Sequence, residues 1–227
     1  AKAIIVCNPS NPCGKVFSRE ELLGIGELAL KYDAFVVTDE VYEHMVYAPW
    51  THTCMASLPG MFDHTITCNS LSKTYSITGW RLGYAVGPEE IIEQMVKIHQ
   101  FAIMCAPTTS QYAAVEALRS GDGDVAMMCE AYDGRRRFLV RALRDMGLEC
   151  FEPFGAFYVF PCIKRTGMTS EEFANRLLSE EKLAVVPGTA FGSCGEGFLR
   201  ISYAYSIENL KIALERMERF VRKYTTE

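Results

Sequence analysis

No run of apolar residues in this 227-residue sequence approaches the roughly 20 that a bilayer-spanning helix needs. There is no C-x-x-C pair, and the four histidines, His44, His52, His64 and His99, form no H-E-x-x-H or other ligand spacing. No metal site is therefore expected. Nine cysteines, at positions 7, 13, 54, 68, 105, 129, 150, 162 and 194, are odd in number and scattered. That pattern argues against a disulfide framework and predicts reduced thiols in a cytoplasmic protein. A basic surplus is also lacking: 23 Lys and Arg against 28 Asp and Glu give a net charge of −5, whereas a nucleic-acid binder usually shows a basic patch. No secretory leader opens the sequence, and no internal repeat or low-complexity tract interrupts it.

What is present is the composition of a globular chain. Hydrophobic residues make up 49%, and the length suffices for a sizeable core in one or two domains. The densest chemistry lies in Ser70-Leu71-Ser72-Lys73-Thr74-Tyr75-Ser76-Ile77-Thr78-Gly79-Trp80-Arg81-Leu82-Gly83. A lysine amine forms Schiff bases with carbonyl cofactors, and hydroxyls and arginine bind phosphate through charge-assisted hydrogen bonds. The combination suits a cofactor with an aldehyde at one end and a phosphate at the other. Taken alone, the stretch is equally well an ordinary strand-loop-strand with a salt-bridging lysine.

Hydrophobic patterning predicts an α/β sheet. Ala3 to Cys7, Phe35 to Thr38, Thr65 to Cys68 and Leu82 to Val86 read as short strands, and a Ser18–Glu21 capping box opens a helix running to about Tyr32. Strands alternating with helices imply mostly parallel pairing. Ligands of such sheets sit beyond the carboxyl ends of the strands, where Asn11, Asp39, Ser70 and Lys73 all fall. Helices follow from Pro88 to about Ala102 and from Thr109 to Leu118. Ser120-Gly121-Asp122-Gly123-Asp124 is the best break in the chain. Beyond it come a helix from about Val125 to Met146, a strand-like Phe157 to Phe160, a helix to about Glu181, strands at Ala184 to Val186 and Phe198 to Ser202, and a terminal helix from Ser206. The expected organisation is a large domain, residues 1–124, and a smaller C-terminal α+β domain, residues 125–227. Arg135-Arg136-Arg137 is expected to be a solvated helix face.

Three stretches, taken in order, carry a resemblance. Asn8-Pro9-Ser10-Asn11-Pro12-Cys13-Gly14, Thr38-Asp39-Glu40-Val41-Tyr42 and the Lys73 stretch resemble the N-P-x-N-P-T-G, D-E-x-Y and S-x-S-K patterns of the class I/II aminotransferases. These are pyridoxal 5'-phosphate (PLP) enzymes of fold type I. The only departure is Cys13, where threonine is usual, a change not expected to affect the chemistry. Gly155-Ala156-Phe157-Tyr158 and Phe198-Leu199-Arg200-Ile201-Ser202 extend the resemblance over essentially the whole chain.

The resemblance implies a role for each matching residue. Lys73 would be the Schiff-base lysine and general base. Asp39 would pair with the cofactor's ring nitrogen, and Tyr42 and Asn11 would hydrogen-bond its ring oxygen. Ser70, Ser72 and Arg81 would bind its phosphate. Arg200, with Asn11, would meet the substrate α-carboxylate, since arginine's planar fork matches a carboxylate as lysine does not. Trp80, Tyr84 and Phe157 are expected to pack as core aromatics, and Gly14, Gly79 and Gly83 to serve backbone geometry.

The implied reaction is amino transfer between an L-amino acid and a 2-oxo acid in a homodimer, with the bacterial broad-specificity aspartate and aromatic aminotransferases as the subgroup resembled. Two alternatives stay open at this level: a PLP-dependent carbon–sulfur lyase or synthase, and a non-enzymatic aminotransferase-like sensor module. Ala1 to Val6 reads as a core strand already under way. The sequence is therefore expected to be the C-terminal portion of such an enzyme, with little activity as an isolated chain.

Overall fold

The computed structural model describes residues 1–225 and divides into two compact units. The first comprises Ala1–Ser10 with Lys15–Cys129. Its sheet has four strands in the order β1 (Ala3–Cys7), β2 (Phe35–Asp39), β3 (Thr65–Ser70) and β4 (Gly83–Val86). The first three are parallel, and β4 runs antiparallel to β3. Helix α1 (Arg19–Lys31) starts where the capping box places it: the Glu21 amide donates to Ser18 Oγ at 3.2 Å, and the Ser18 amide donates to the Glu21 carboxylate at 2.8 Å.

Leu22 and Ala29 of α1 pack against Val6, Val36, Met55, Leu58 and Met61. Each such buried Leu, Val or Met contributes roughly 1.5–3 kcal/mol. Along β2 burial alternates with the pleat, so Val36 and Thr38 are buried while Asp39 is exposed. The packing of α1 on one face thus leaves Asp39 for the other.

A short helix, α2 (Leu71–Thr74), follows β3 directly, where the sequence suggested only a loop. Helices α3 (Glu89–Ala102) and α4 (Thr108–Ser120) complete this unit. Helix α5 (Asp122–Asp145) begins here and continues into the second unit. Trp80 and Tyr84 are each 47% exposed, contrary to the expectation of core packing. Tyr84 lies on β4, the last strand of this sheet among the described residues, and Trp80 in the turn that precedes it.

The second unit comprises Asn11–Gly14 and the chain from Glu130 onward. Its antiparallel sheet has the order β5 (Tyr158–Val159), β7 (Leu199–Ser202), β6 (Val186–Pro187). Helices α6 (Ser170–Glu181) and α7 (Ile207–Tyr224) are capped by Thr169 and Ser206. On α7 the buried residues are Leu210, Leu214, Met217, Phe220 and Val221, an i, i+4, i+7 stripe. Phe220 meets Phe173 of α6 edge-on at 4.9 Å.

Within the arginine run, Arg136 is not solvated. It is 4% exposed and paired with Asp133 and Glu152, and it donates to the Pro153 carbonyl at 3.3 Å. A buried guanidinium is tolerable only with such partners. These contacts fix the segment that leads into β5.

Candidate active site

In the first unit the carboxyl ends of three parallel strands come together. Cys7, Asp39 and Cys68 are in register on adjacent strands, so their side chains share one face. Asp39 Oδ1 accepts from the Val41 amide at 3.1 Å, which ties the carboxylate to its own turn. Burial first, and then the Asp39 charge, push the Cys68 thiol above its ordinary value. The thiol therefore stays protonated and adds no second anion beside Asp39. Tyr42, in the turn after β2, is buried.

Ser70 ends β3 and caps α2. Its Oγ accepts from the Ser72 amide at 3.0 Å and donates to the Leu82 carbonyl at 2.9 Å. The hydroxyl proton is thus already committed to the local fold, and a phosphate would have to compete for it. Lys73 lies on α2, half-buried. Arg81 has left-handed backbone (φ 55°) and an exposed side chain, which donates to the Thr78 carbonyl at 2.7 Å. One unit therefore holds an amine, a strand-end carboxylate, an exposed guanidinium and two serine hydroxyls. That donor set fits PLP, whose aldehyde, ring nitrogen and phosphate need those partners.

The second unit brings Asn11 to Arg200. Arg200 Nη1 donates to Asn11 Oδ1 at 2.9 Å. Its guanidinium lies 4.6 Å from the Tyr158 ring centroid and 4.8 Å from that of Phe191. Two aromatic faces hold the fork by cation–π contact and limit its rotamers. The part played by Tyr158 and Phe191 was not visible in the sequence, because Phe191 lies on a turn with no periodicity to mark it.

Asn11 is itself held by a tight seam. Gly14 has φ +69°, its carbonyl accepts from the Gly155 amide at 2.9 Å, and an added Cβ would lie 2.5 Å from Pro153 Cβ and 2.7 Å from the Gly155 oxygen. Gly14→Ala combines left-handed strain with overpacking. It is expected to destabilise by about 2 kcal/mol or more, a fall in Tm of about 4–8 °C in thermal unfolding.

The structure also shows a cluster that the sequence did not reveal. Glu40, Glu43 and His52 bring ligand-type atoms within 4.8 Å of one another. Glu40 is 1% exposed, and its carboxylate accepts from the Met55 amide at 3.0 Å, from Thr38 Oγ1 at 3.2 Å and from His52 Nε2 at 2.8 Å. Burial, the largest single influence, raises the Glu40 pKa. The His52 bond, the Met55 amide and the Cys54 thiol together outweigh it and hold the carboxyl below its ordinary range. The one available signal was strand alternation, which turns Glu40 inward if Asp39 faces outward.

The family model for aminotransferase class I and II matches residues 1–217. The chain belongs to that family. The chain is 48% identical over 224 residues to an aspartate aminotransferase of Pyrococcus abyssi, and 43% identical over 224 residues to an aromatic-amino-acid aminotransferase of Thermococcus litoralis; each match covers 98% of the chain and 58% of the relative. Among solved structures, an aromatic aminotransferase from Pyrococcus horikoshii superposes with a TM-score of 0.96 at 46% identity, over 98% of the chain and 60% of that structure. The chain thus spans somewhat under two thirds of the relatives it matches. Its fold is that of the fold-type I aminotransferases, a PLP-dependent family. Among the described residues no helix is long and apolar enough to cross a membrane.

Proposed function

We propose that this aminotransferase chain carries the PLP-binding lysine and the substrate-carboxylate clamp of an enzyme transferring an amino group between an L-amino acid and a 2-oxo acid. The observation that carries the reading is the paired arginine. Arg200 lies between two aromatic rings and is oriented by Asn11, an arrangement suited to the carboxylate that amino and oxo acids share.

Bound PLP supplies an electron sink for the pair left at Cα when its proton departs. In this reading Asp39 holds a proton on the ring nitrogen, and Tyr42 and Asn11 donate to the ring oxygen. Ser70, Ser72 and Arg81 orient the phosphate. Lys73 would hold the cofactor at its aldehyde carbon through its amine, with loss of water. With substrate bound, the Lys73 amine would move the proton at the substrate's Cα. The residues that match family positions support each role. The family resemblance supports a homodimer, and nine free cysteines support a reducing compartment such as the cytoplasm. The names of the relatives support aspartate or an aromatic amino acid as the donor.

The test is a coupled assay with 2-oxoglutarate. Transfer yields glutamate and the donor's oxo acid in equal amounts, whereas release of ammonia or sulfide without an oxo-acid acceptor would indicate lyase chemistry. Arg200→Lys keeps the charge but loses the fork. It is expected to raise KM about 10- to 100-fold for every amino and oxo acid alike. A loss confined to acidic substrates would make Arg200 a reader of the side chain instead.

A further inference from the structure

Asp39 and Glu40 are consecutive carboxylates in opposite environments. Asp39 is exposed at the strand end, and Glu40 is enclosed. Adjacent acids in different surroundings commonly divide the work between them. Asp39 is accounted for by the proposed reaction; Glu40 is not.

A buried ionised carboxylate is expensive unless it is fully hydrogen-bonded. Here three donors come from residues 52–55, namely His52 Nε2, the Met55 amide and the Cys54 thiol, and a fourth is the Thr38 hydroxyl on β2. Since a carboxylate only accepts, His52 must carry its proton on Nε2 toward Glu40. Its buried Nδ1 has no hydrogen-bond partner among the described residues, so the ring is held through Nε2.

The backbone around Glu40 is pinned on both sides. Its amide donates to the Cys68 carbonyl at 2.9 Å, and its carbonyl accepts from the Glu43 amide at 2.9 Å. From there the connection continues. Glu43 Oε1 accepts from Asn69 Nδ2 at 2.6 Å, and Asn69 Oδ1 accepts from the Ser70 amide at 2.7 Å. Ser70 caps α2, the helix that bears Lys73. One hydrogen-bonded path thus runs from the turn that aims Asp39 to the cap that aims Lys73.

We propose that Glu40, held by His52, is a positioning residue for the cofactor site, fixing the Asp39 turn and, through Glu43 and Asn69, the Lys73 helix in one mutual geometry. Glu40 touches neither cofactor nor substrate in this scheme. Its effect is exerted through Asp39 and Lys73, as outer-shell partners act on the groups they orient. The inference rests on the PLP reading given above.

The test uses the intact protein titrated with PLP, following the visible absorbance of the lysine-bound cofactor and its change with pH. Glu40→Gln keeps the volume and the acceptor for Met55 but places an amide against His52. It is expected to weaken PLP binding about tenfold, the scale of outer-shell effects, and to move the midpoint of the absorbance titration, while KM for the amino acid changes little. His52→Ala is expected to act in the same direction, and His52→Gln, which restores an N–H donor, to recover most of the loss.

If the unsubstituted protein develops no lysine-bound absorbance, the PLP reading falls and this inference with it. If it does, and Glu40→Gln and His52→Ala leave affinity and midpoint unchanged, the inference alone is overturned. A lower Tm with unchanged affinity and midpoint overturns it as well, since it shows a purely structural acid. Should Glu40→Gln fail to fold, the His52 pair of variants decides the question by the same criteria.

Discussion

Lys73→Ala is expected to lower turnover by on the order of 10⁴-fold or more, because one amine is asked both to hold the cofactor and to move the Cα proton. The fold should tolerate the change. Alanine is the best helix former, Lys73 is only half-buried, and the anchors of α2 are Leu71, Thr74 and the Ser70 cap. A loss of activity with an unchanged Tm would therefore report chemistry. Lys73→Arg is the sharper control. It keeps a positive charge at the position, but a guanidinium stays protonated and cannot attack a carbonyl. Both variants are expected to be equally inactive. Borohydride reduction of the PLP-loaded protein followed by peptide mapping should place the adduct on Lys73, and neither variant should give one. An adduct on another lysine, or appreciable turnover by Lys73→Arg, would overturn the assignment.

Asp39→Ala is expected to reduce turnover by about 10²- to 10³-fold, the range for removing one preorganised electrostatic partner from an active site. The carboxylate favours the protonated ring nitrogen, without which the cofactor is a poor electron sink. Asp39→Asn separates charge from shape: its amide oxygen can still accept from the Val41 amide, as Oδ1 does at 3.1 Å, so the turn persists while the anion is gone. Asp39→Asn should fall with Asp39→Ala. Asp39→Glu keeps the anion on a longer arm and should retain more activity than either. The order is read from kcat in single-donor assays at saturating PLP. Normal transamination by Asp39→Ala would remove Asp39 from the mechanism.

The Glu40 carboxyl has a consequence for stability as well. Its pKa in the folded protein is held below the ordinary carboxylate value, so it contributes stability that is present above that ordinary value and is lost as pH falls through the folded value. Acid unfolding below about pH 4.5 should therefore be less steep in Glu40→Gln than in the unsubstituted protein.

Much of the fold was legible in the sequence because its signals are local. The capping box Ser18–Glu21, the short apolar strand runs and the amphipathic stripe of α7 depend only on neighbouring residues and chain periodicity, and each appears within a residue or two of where those signals place it. The candidate catalytic residues were legible for a different reason. Lys73, Asp39 and Arg200 sit in short motifs whose order along the chain identifies the family, and the family match spans residues 1–217. The errors were those of pairing and environment. Arg136 was read as solvated because its partner Glu152 is 16 residues away, on a segment that helix periodicity cannot locate. Trp80 and Tyr84 were read as core because aromatics usually are, but each is 47% exposed, Tyr84 on the last strand of the sheet among the described residues and Trp80 in the turn before it.

By itself the sequence determined the strand–helix alternation, the parallel start of the sheet and the strand-end position of Asp39, and it supplied Lys73 as the candidate amine. Only the tertiary structure decided which groups meet. It brought Asn11 to Arg200 across 189 residues of chain and set Tyr158 and Phe191 against the guanidinium. It committed the Ser70 hydroxyl to the Leu82 carbonyl and enclosed Glu40 among donors from residues 52–55. The physical reason is that propensity and periodicity act over a few residues. Whether a charged or polar group is satisfied depends on partners that the folded chain brings from far along the sequence.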